Sequence, residues 1–269
     1  MQRPHFRKPP IMEQAISLVF ERLIDFDNVD FGLFWSTVSD SFPQAETTFR
    51  ATHPVESFEG RSASGSVVLS PNLLARSLFR NSTSGELLQL QDDFFGFSWV
   101  KLSEEAKYPR FERTSERFWE FYGVFLRYLT ERYDVTPTLR QCELVNVNII
   151  PVSDFGSDYG DMARAFKIDP FDWHVEGLQA ETYIRNRQHA ILGASGEPIG
   201  RLHSVITPVI DQSGAKHFQF QLTSRSSPTI HEADEARAFF ERAHEMMNGA
   251  FVSSVMPEML KKWEQYDGD

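Results

Sequence analysis

The chain is almost without cysteine: Cys142 is the only one among 269 residues. A single thiol can close no intramolecular disulfide and build no cysteine-rich metal centre. Within an apolar strand it reads as a small buried hydrophobe. Long hydrophobic runs are also missing. None approaches the roughly 18 residues of a membrane helix, and the basic start, Met1 to Pro10, leads into no apolar h-region. The expectation is a cytoplasmic protein with no membrane partner. Positive charge is in short supply: 27 Lys and Arg stand against 38 Asp and Glu, for a formal net charge of -11. A diffuse negative field opposes non-specific nucleic-acid binding and suits a partner protein of basic character. No G-x-S-x-G, H-E-x-x-H or P-loop is present. No catalytic residue, metal set or cofactor is therefore assigned, and an enzyme is the least supported class.

What the chain has is phenylalanine, 24 of them in a sequence 41% hydrophobic. That is enough apolar material for a large core. Between Glu13 and Phe20 the residues Ile16, Leu18 and Phe20 share one parity, which predicts a strand with one buried face. Asp30 can cap a short helix ending near Ser41, ahead of Pro43. Residues 44–62 are polar and read as a loop or weak strand. Gly65 to Ser70 reads as a short strand, and Pro71 to Phe79 as a helical turn or irregular crossover. The apolar runs Leu87–Leu90 and Phe94–Val100 flank Asp92-Asp93, which predicts a hairpin. Phe118, Phe121, Tyr122, Phe125, Leu129 and Tyr133 then recur at helical steps, predicting a helix from about Thr114 to Tyr133 that lies across the sheet. Leu139 to Ile150 resumes extended structure.

Residues 151–173 are rich in Asp, Gly and Pro, with a short helix expected at Met162 to Phe166. They divide the chain into an N-terminal half, 1–150, and a C-terminal half, 151–269, within one unit. Strands are expected at Val175–Gln188, Pro198–Val209 and Lys216–Thr223. Thr229 and Glu232 have capping-box spacing, and Ala236, Phe239, Phe240, Ala243, Met247 and Phe251 form the stripe of a final long helix, interrupted at Pro257. An internal echo supports two related halves: Trp99 to Trp119 and Phe220 to Phe240 are equally spaced, and each leads from a strand into a helix. The predicted class is α+β, a largely antiparallel, curved sheet or pair of sheets, each half packed by a long helix.

Several phrases also resemble one family. They are Pro9-Pro10-Ile11-Met12-Glu13-Gln14-Ala15, Gln89-Leu90-Gln91-Asp92 ahead of Trp99, Tyr108-Pro109-Arg110-Phe111-Glu112, and Glu143-Leu144-Val145-Asn146-Val147-Asn148. In this order they resemble a sporadically distributed bacterial and archaeal family of uncharacterised proteins. Ser98 and Val145 depart from the family pattern, which favours Asn and an aromatic there. The resemblance implies no reaction. The family's scatter is like that of toxin–antitoxin and phage-defence genes.

The residues singled out for binding are Trp99, Tyr108, Arg110, Asn146 and Asn148. An aromatic and cationic patch at Trp99, Tyr108 and Arg110 can take a base or phosphate; the plainer expectation pairs Arg110 with Glu112 or Glu116. Asn146 and Asn148 share the strand face of Leu144 and Ile150, where an amide needs partners, in a structural network or a pocket. Asp92-Asp93 sits where a turn favours aspartate. Asp154, Asp158 and Asp161 lack calcium-loop spacing. His203 and His217 can face each other across a hairpin. Two roles follow: an interaction or regulatory protein, antitoxin-like or an accessory in a defence system, itself able to form homo-oligomers; or a small-ligand or nucleotide sensor with a pocket between sheet and long helix.

Overall fold

The structure is a computed structural model that describes residues 4–58, 76–167 and 184–267. In chain order the elements are β1 (Pro4–Phe6), β2 (Ile11–Phe20), α1 (Asn28–Val38), β3 (Gln44–Thr48), β4 (Arg76–Asn81), β5 (Glu86–Gln91), β6 (Phe94–Val100), α2 (Arg110–Tyr133) and β7 (Leu139–Pro151). After two 3-10 turns come β8 (Arg185–Leu192), β9 (Pro198–Ile210), β10 (Lys216–Ser226), α3 (Ala233–Ser254), α4 (Pro257–Lys262) and β11 (Gln265–Asp267). The class is α+β, as the alternation of apolar parity and helical stripes predicts.

Nine strands form a single antiparallel sheet in the order β3-β4-β5-β6-β2-β7-β10-β9-β8, and β1 pairs with β11 in a separate ribbon. The sheet is open, with β3 and β8 at its edges. The register decides which residues share a face. Ile16 lies opposite Phe97 and Leu144, and Leu18 opposite Phe95 and Cys142; Asn148 lies opposite Phe220, and Ile150 opposite Phe218. All of these look toward the helices. There Phe95 meets Phe118, Tyr122 and Phe125 of α2, while Phe220 stacks on Phe251 of α3 at 5.7 Å. The two helices touch through Phe118 and Phe240. One continuous apolar core results, in which each fully buried aromatic is worth roughly 1.5–3 kcal/mol.

The equally spaced pairs fall where the echo places them: Trp99 and Trp119 on β6 and α2, Phe220 and Phe240 on β10 and α3. β6 lies beside β2, and β10 lies beside β7.

Residues 50–58 cross the other face of the sheet without regular structure. They are held by side chains rather than by strand pairing. The Gln91 carbonyl accepts from the Ala51 amide, and that of Gln141 from the Glu56 amide. Arg50 pairs with both Asp92 and Asp93. Glu56 pairs with Arg201 and with His203 at 2.5 Å, and with Arg225 at 3.6 Å. Burial pushes Glu56 toward protonation, but His203, Arg201 and Arg225 together hold its carboxyl below the usual range.

Four local expectations need correction. Asp27, not Asp30, caps α1; Asp30 is the third helical residue and returns the bond to the Asp27 amide. Its carboxylate also takes the Tyr128 and Tyr133 hydroxyls and Arg132, so a residue read as a cap is the tie between α1 and α2. α2 starts at Arg110, one turn before Thr114. α3 starts at Ala233 behind a Glu232–Glu235 capping box, and Thr229 instead bonds Ser227. Part of the expected crossover at 71–79 is strand β4. The strand expected at Gly65–Ser70 and most of that at Val175–Gln188 lie outside the described residues; the latter's end, Arg185 onward, is β8.

Candidate binding cavity

A cleft of about 90 Å³ lies between the start of α2, the middle of α3 and the helix-side face of β7, beneath the β1–β11 ribbon. Four of the five singled-out residues line it: Tyr108, Arg110, Asn146 and Asn148. The fifth, Trp99, stands behind the wall, 5.6 Å from Tyr108 between ring centres. A larger recess of about 420 Å³ opens beside β8, but Lys167, Arg187, His189, Ala190 and Met246 around it are all exposed. It has none of the buried polar groups that mark the first cleft.

The floor comes from strand parity. Gln14 continues the inward row of Ile16 and Leu18, and Asn146 and Asn148 continue that of Leu144 and Ile150. These amides occupy core positions and are 0%, 8% and 5% exposed. Gln14 Nε2 donates to Asn146 Oδ1 at 2.9 Å, and Asn148 Nδ2 donates to the Phe220 carbonyl at 3.1 Å. Gln14 Oε1 is buried with no hydrogen-bond partner. Unsatisfied amide groups in a core cost about 1–3 kcal/mol each, so this floor is expensive unless something else meets it.

The α2 wall is unusual at its first residue. Arg110 has φ +70°, a left-handed conformation that costs a non-glycine residue roughly 1–2 kcal/mol. Its guanidinium donates to the Tyr266 hydroxyl at 2.7 Å, while Glu116 is taken by Arg113. Arg110 therefore reaches across the chain to β11 and does not merely orient its own helix. Pro109 at the N-cap provides no side-chain acceptor, which leaves the first amides of a 24-residue helix facing the cleft uncapped. Burial drives the Tyr108 phenol well above its ordinary value, against an opposing contribution from Gln14. It stays a neutral hydroxyl.

On α3, His244 and Asn248 are one turn apart and joined at 3.0 Å, and His244 stacks on Phe111 at 4.2 Å. The roof is the ribbon. His5 stacks on Tyr266, and Phe6 packs edge-on against Phe251 and Trp263. Gln14, His5, His244 and Asn248 were not singled out in the sequence. The parity of Gln14 with Ile16, and the i, i+4 spacing of His244 and Asn248 inside an apolar stripe, are the signals that point to three of them.

The remaining candidates sit elsewhere. His203 and His217 do not face each other: His203 lies opposite Thr223 and His217 opposite Val209. Each is bonded to its own carboxylate, Glu56 and Asp211. Asp154 and Asp158 are paired with Lys262 and Lys216; Asp158 also caps a 3-10 turn, whose third residue, Asp161, accepts from the Asp158 amide. Asp92 is fully buried between Arg22 and Arg50. No group of three or more metal-ligating side chains occurs among the described residues, and none of their helices is long and apolar enough to cross a membrane. Comparison of the chain with protein-family models, curated proteins and solved structures found no match.

Proposed function

We propose that this protein is a small-molecule sensor that holds a polar ligand in the cleft between β7, α2 and α3. The observation that carries this reading is the amide floor: Asn146 and Asn148 lie in the core and line an open space, and Gln14, which bonds Asn146, has a buried Oε1 with no hydrogen-bond partner. A purely structural network closes its own hydrogen bonds. The space holds on the order of six waters, so the ligand is far smaller than a nucleotide. β1 and β11 pair over the cleft, Arg110 tying β11 down and Phe6 anchoring β1. Ligand seated below would tighten the ribbon above, which supplies the output of a sensor. The acidic surface supports a related role as a regulatory partner of another protein, with the ligand controlling that contact.

The test is a thermal-shift screen of the full chain against polar metabolites of up to about ten heavy atoms. A hit raises Tm in wild type, and Asn148→Ala removes the rise while leaving the unliganded Tm within a few degrees. A broad panel with no stabilising member contradicts the reading.

A further inference from the structure

The cleft also indicates what kind of molecule it takes, an inference that rests on the reading above. Two independent features bear on it. One is electrostatic: the uncapped amino end of α2 carries partial positive charge, and Arg110 sits at that end with a guanidinium at the rim. Glu112 is the one carboxylate among the described lining residues, and it is exposed. The other is the floor. Asn148 Nδ2 is committed to the Phe220 carbonyl, an acceptor only, which leaves Oδ1 as the group that this lining residue can offer. Asn146 Oδ1 is committed to Gln14, so Asn146 presents Nδ2. Both side chains are more than nine-tenths buried. A donor and an acceptor one strand-face step apart match a group that both gives and takes a hydrogen bond, namely a hydroxyl, whereas an ammonium only donates.

We propose that the ligand is a short carboxylate bearing a hydroxyl group. Its charged end meets the amides of α2 and Arg110, and its hydroxyl meets Asn146 and Asn148. A single guanidinium and one helix end balance a monoanion. Phosphate, more highly charged and tetrahedral, would call for further cations, and Glu112 at the rim opposes it more strongly than it opposes a monoanion. Room for about six waters limits the carbon skeleton to two to four atoms.

The experiment is calorimetric titration of the full chain with lactate, propionate, lactamide, serine and inorganic phosphate. Lactate or serine should bind at least tenfold more tightly than propionate, which lacks the hydroxyl, and than lactamide, which lacks the charge. Arg110→Asn keeps a residue that tolerates positive φ. It should weaken lactate binding about tenfold and leave lactamide unchanged. Lactamide binding as tightly as lactate would overturn the carboxylate assignment but preserve the cleft as a ligand site. Phosphate binding most tightly would also overturn it. Absence of binding by every probe would overturn the assignment, and if the wider thermal-shift screen is also silent, the sensor reading falls with it.

Discussion

The two long helices lie on the same face of one sheet, yet they rest on different floors. Beneath α2 the strands present Ile16, Leu18, Phe20, Phe95 and Phe97, none more than 1% exposed, and the helix answers with Phe118, Phe121, Tyr122 and Phe125. Ring centres there are 5.2–6.1 Å apart, and the surface closes completely. Beneath α3 the same geometry begins, with Phe220 against Phe251, and then gives way to Asn146, Asn148, His244 and Asn248. Aromatic rings interlock and exclude water; amides on a strand and a histidine–asparagine pair on a helix cannot, and a cleft remains. One helix is a clamp and the other a lid on a polar site.

The largest effects should come from the closed floor. Phe125→Ala removes a ring that touches Phe20, Phe26, Phe34 and Phe95, and chemical denaturation should show a loss of about 3–5 kcal/mol. Phe251→Ala, beside the existing cleft, should fall at or below the lower end of that range. Equal losses would mean that the two floors are packed alike. Next comes Asp30, whose carboxylate joins α1 to α2. Asp30→Asn weakens bonds to Tyr128, Tyr133 and Arg132 and should cost about 2–3 kcal/mol.

That substitution also has a pH signature. Burial opposes ionisation of Asp30, but the Asp27 amide, both phenols and Arg132 outweigh it and hold the carboxyl below 3.8. Glu56 is likewise held below 4.5. A lowered folded-state value contributes stability that is fully present above the unfolded value and lost as pH falls through the folded one. Wild type should therefore lose stability below about pH 4.5, and Asp30→Asn should show a shallower decline at the acid end. Unfolding followed from pH 7 to pH 2.5 checks both.

A smaller effect should come from the opposite face, where residues 50–58 bind both parts of the sheet through Arg50–Asp92 and Glu56–Arg201. Glu56→Gln should cost about 1–2 kcal/mol and hasten proteolytic cleavage within 50–58 before any cleavage of the sheet. Unchanged cleavage would show that the crossing is held by backbone alone. Smallest of all is Cys142. Burial pushes its thiol up to about 12, with a neighbouring Ser226 acting the other way, so alkylation at pH 8 should proceed only at the rate of global unfolding.

Much of the fold is legible in the residues because its signals are local. The stripe Phe118–Phe121–Phe125–Leu129 and the parity of Ile16, Leu18 and Phe20 depend only on helix and strand periods. The hairpin at Asp92-Asp93 depends on two adjacent residues. Helix starts are less legible, since Asp27 and Asp30, or Thr229 and Glu232, satisfy the same spacing rule and tertiary bonds to Tyr128 or Ser227 decide between them. Four cleft residues are legible as types that need partners: an amide at a core parity, and a Tyr-Pro-Arg loop before a helix. Their convergence is not, because it depends on β7 lying next to β2 and on Tyr266 coming back over Arg110. The Glu56–Arg201–His203 network is invisible for the same reason, its members lying some 145 residues apart.

The most direct measurement follows the side-chain amide NMR signals of Asn146 and Asn148 while lactate is added to the full chain. If a ligand normally meets the amides of this floor, both signals should shift and saturate together, while that of Gln91, bonded to Ala51 on the opposite face, moves far less. If neither signal moves while the solution saturates with lactate, serine and their uncharged analogues, the amide floor is structure alone.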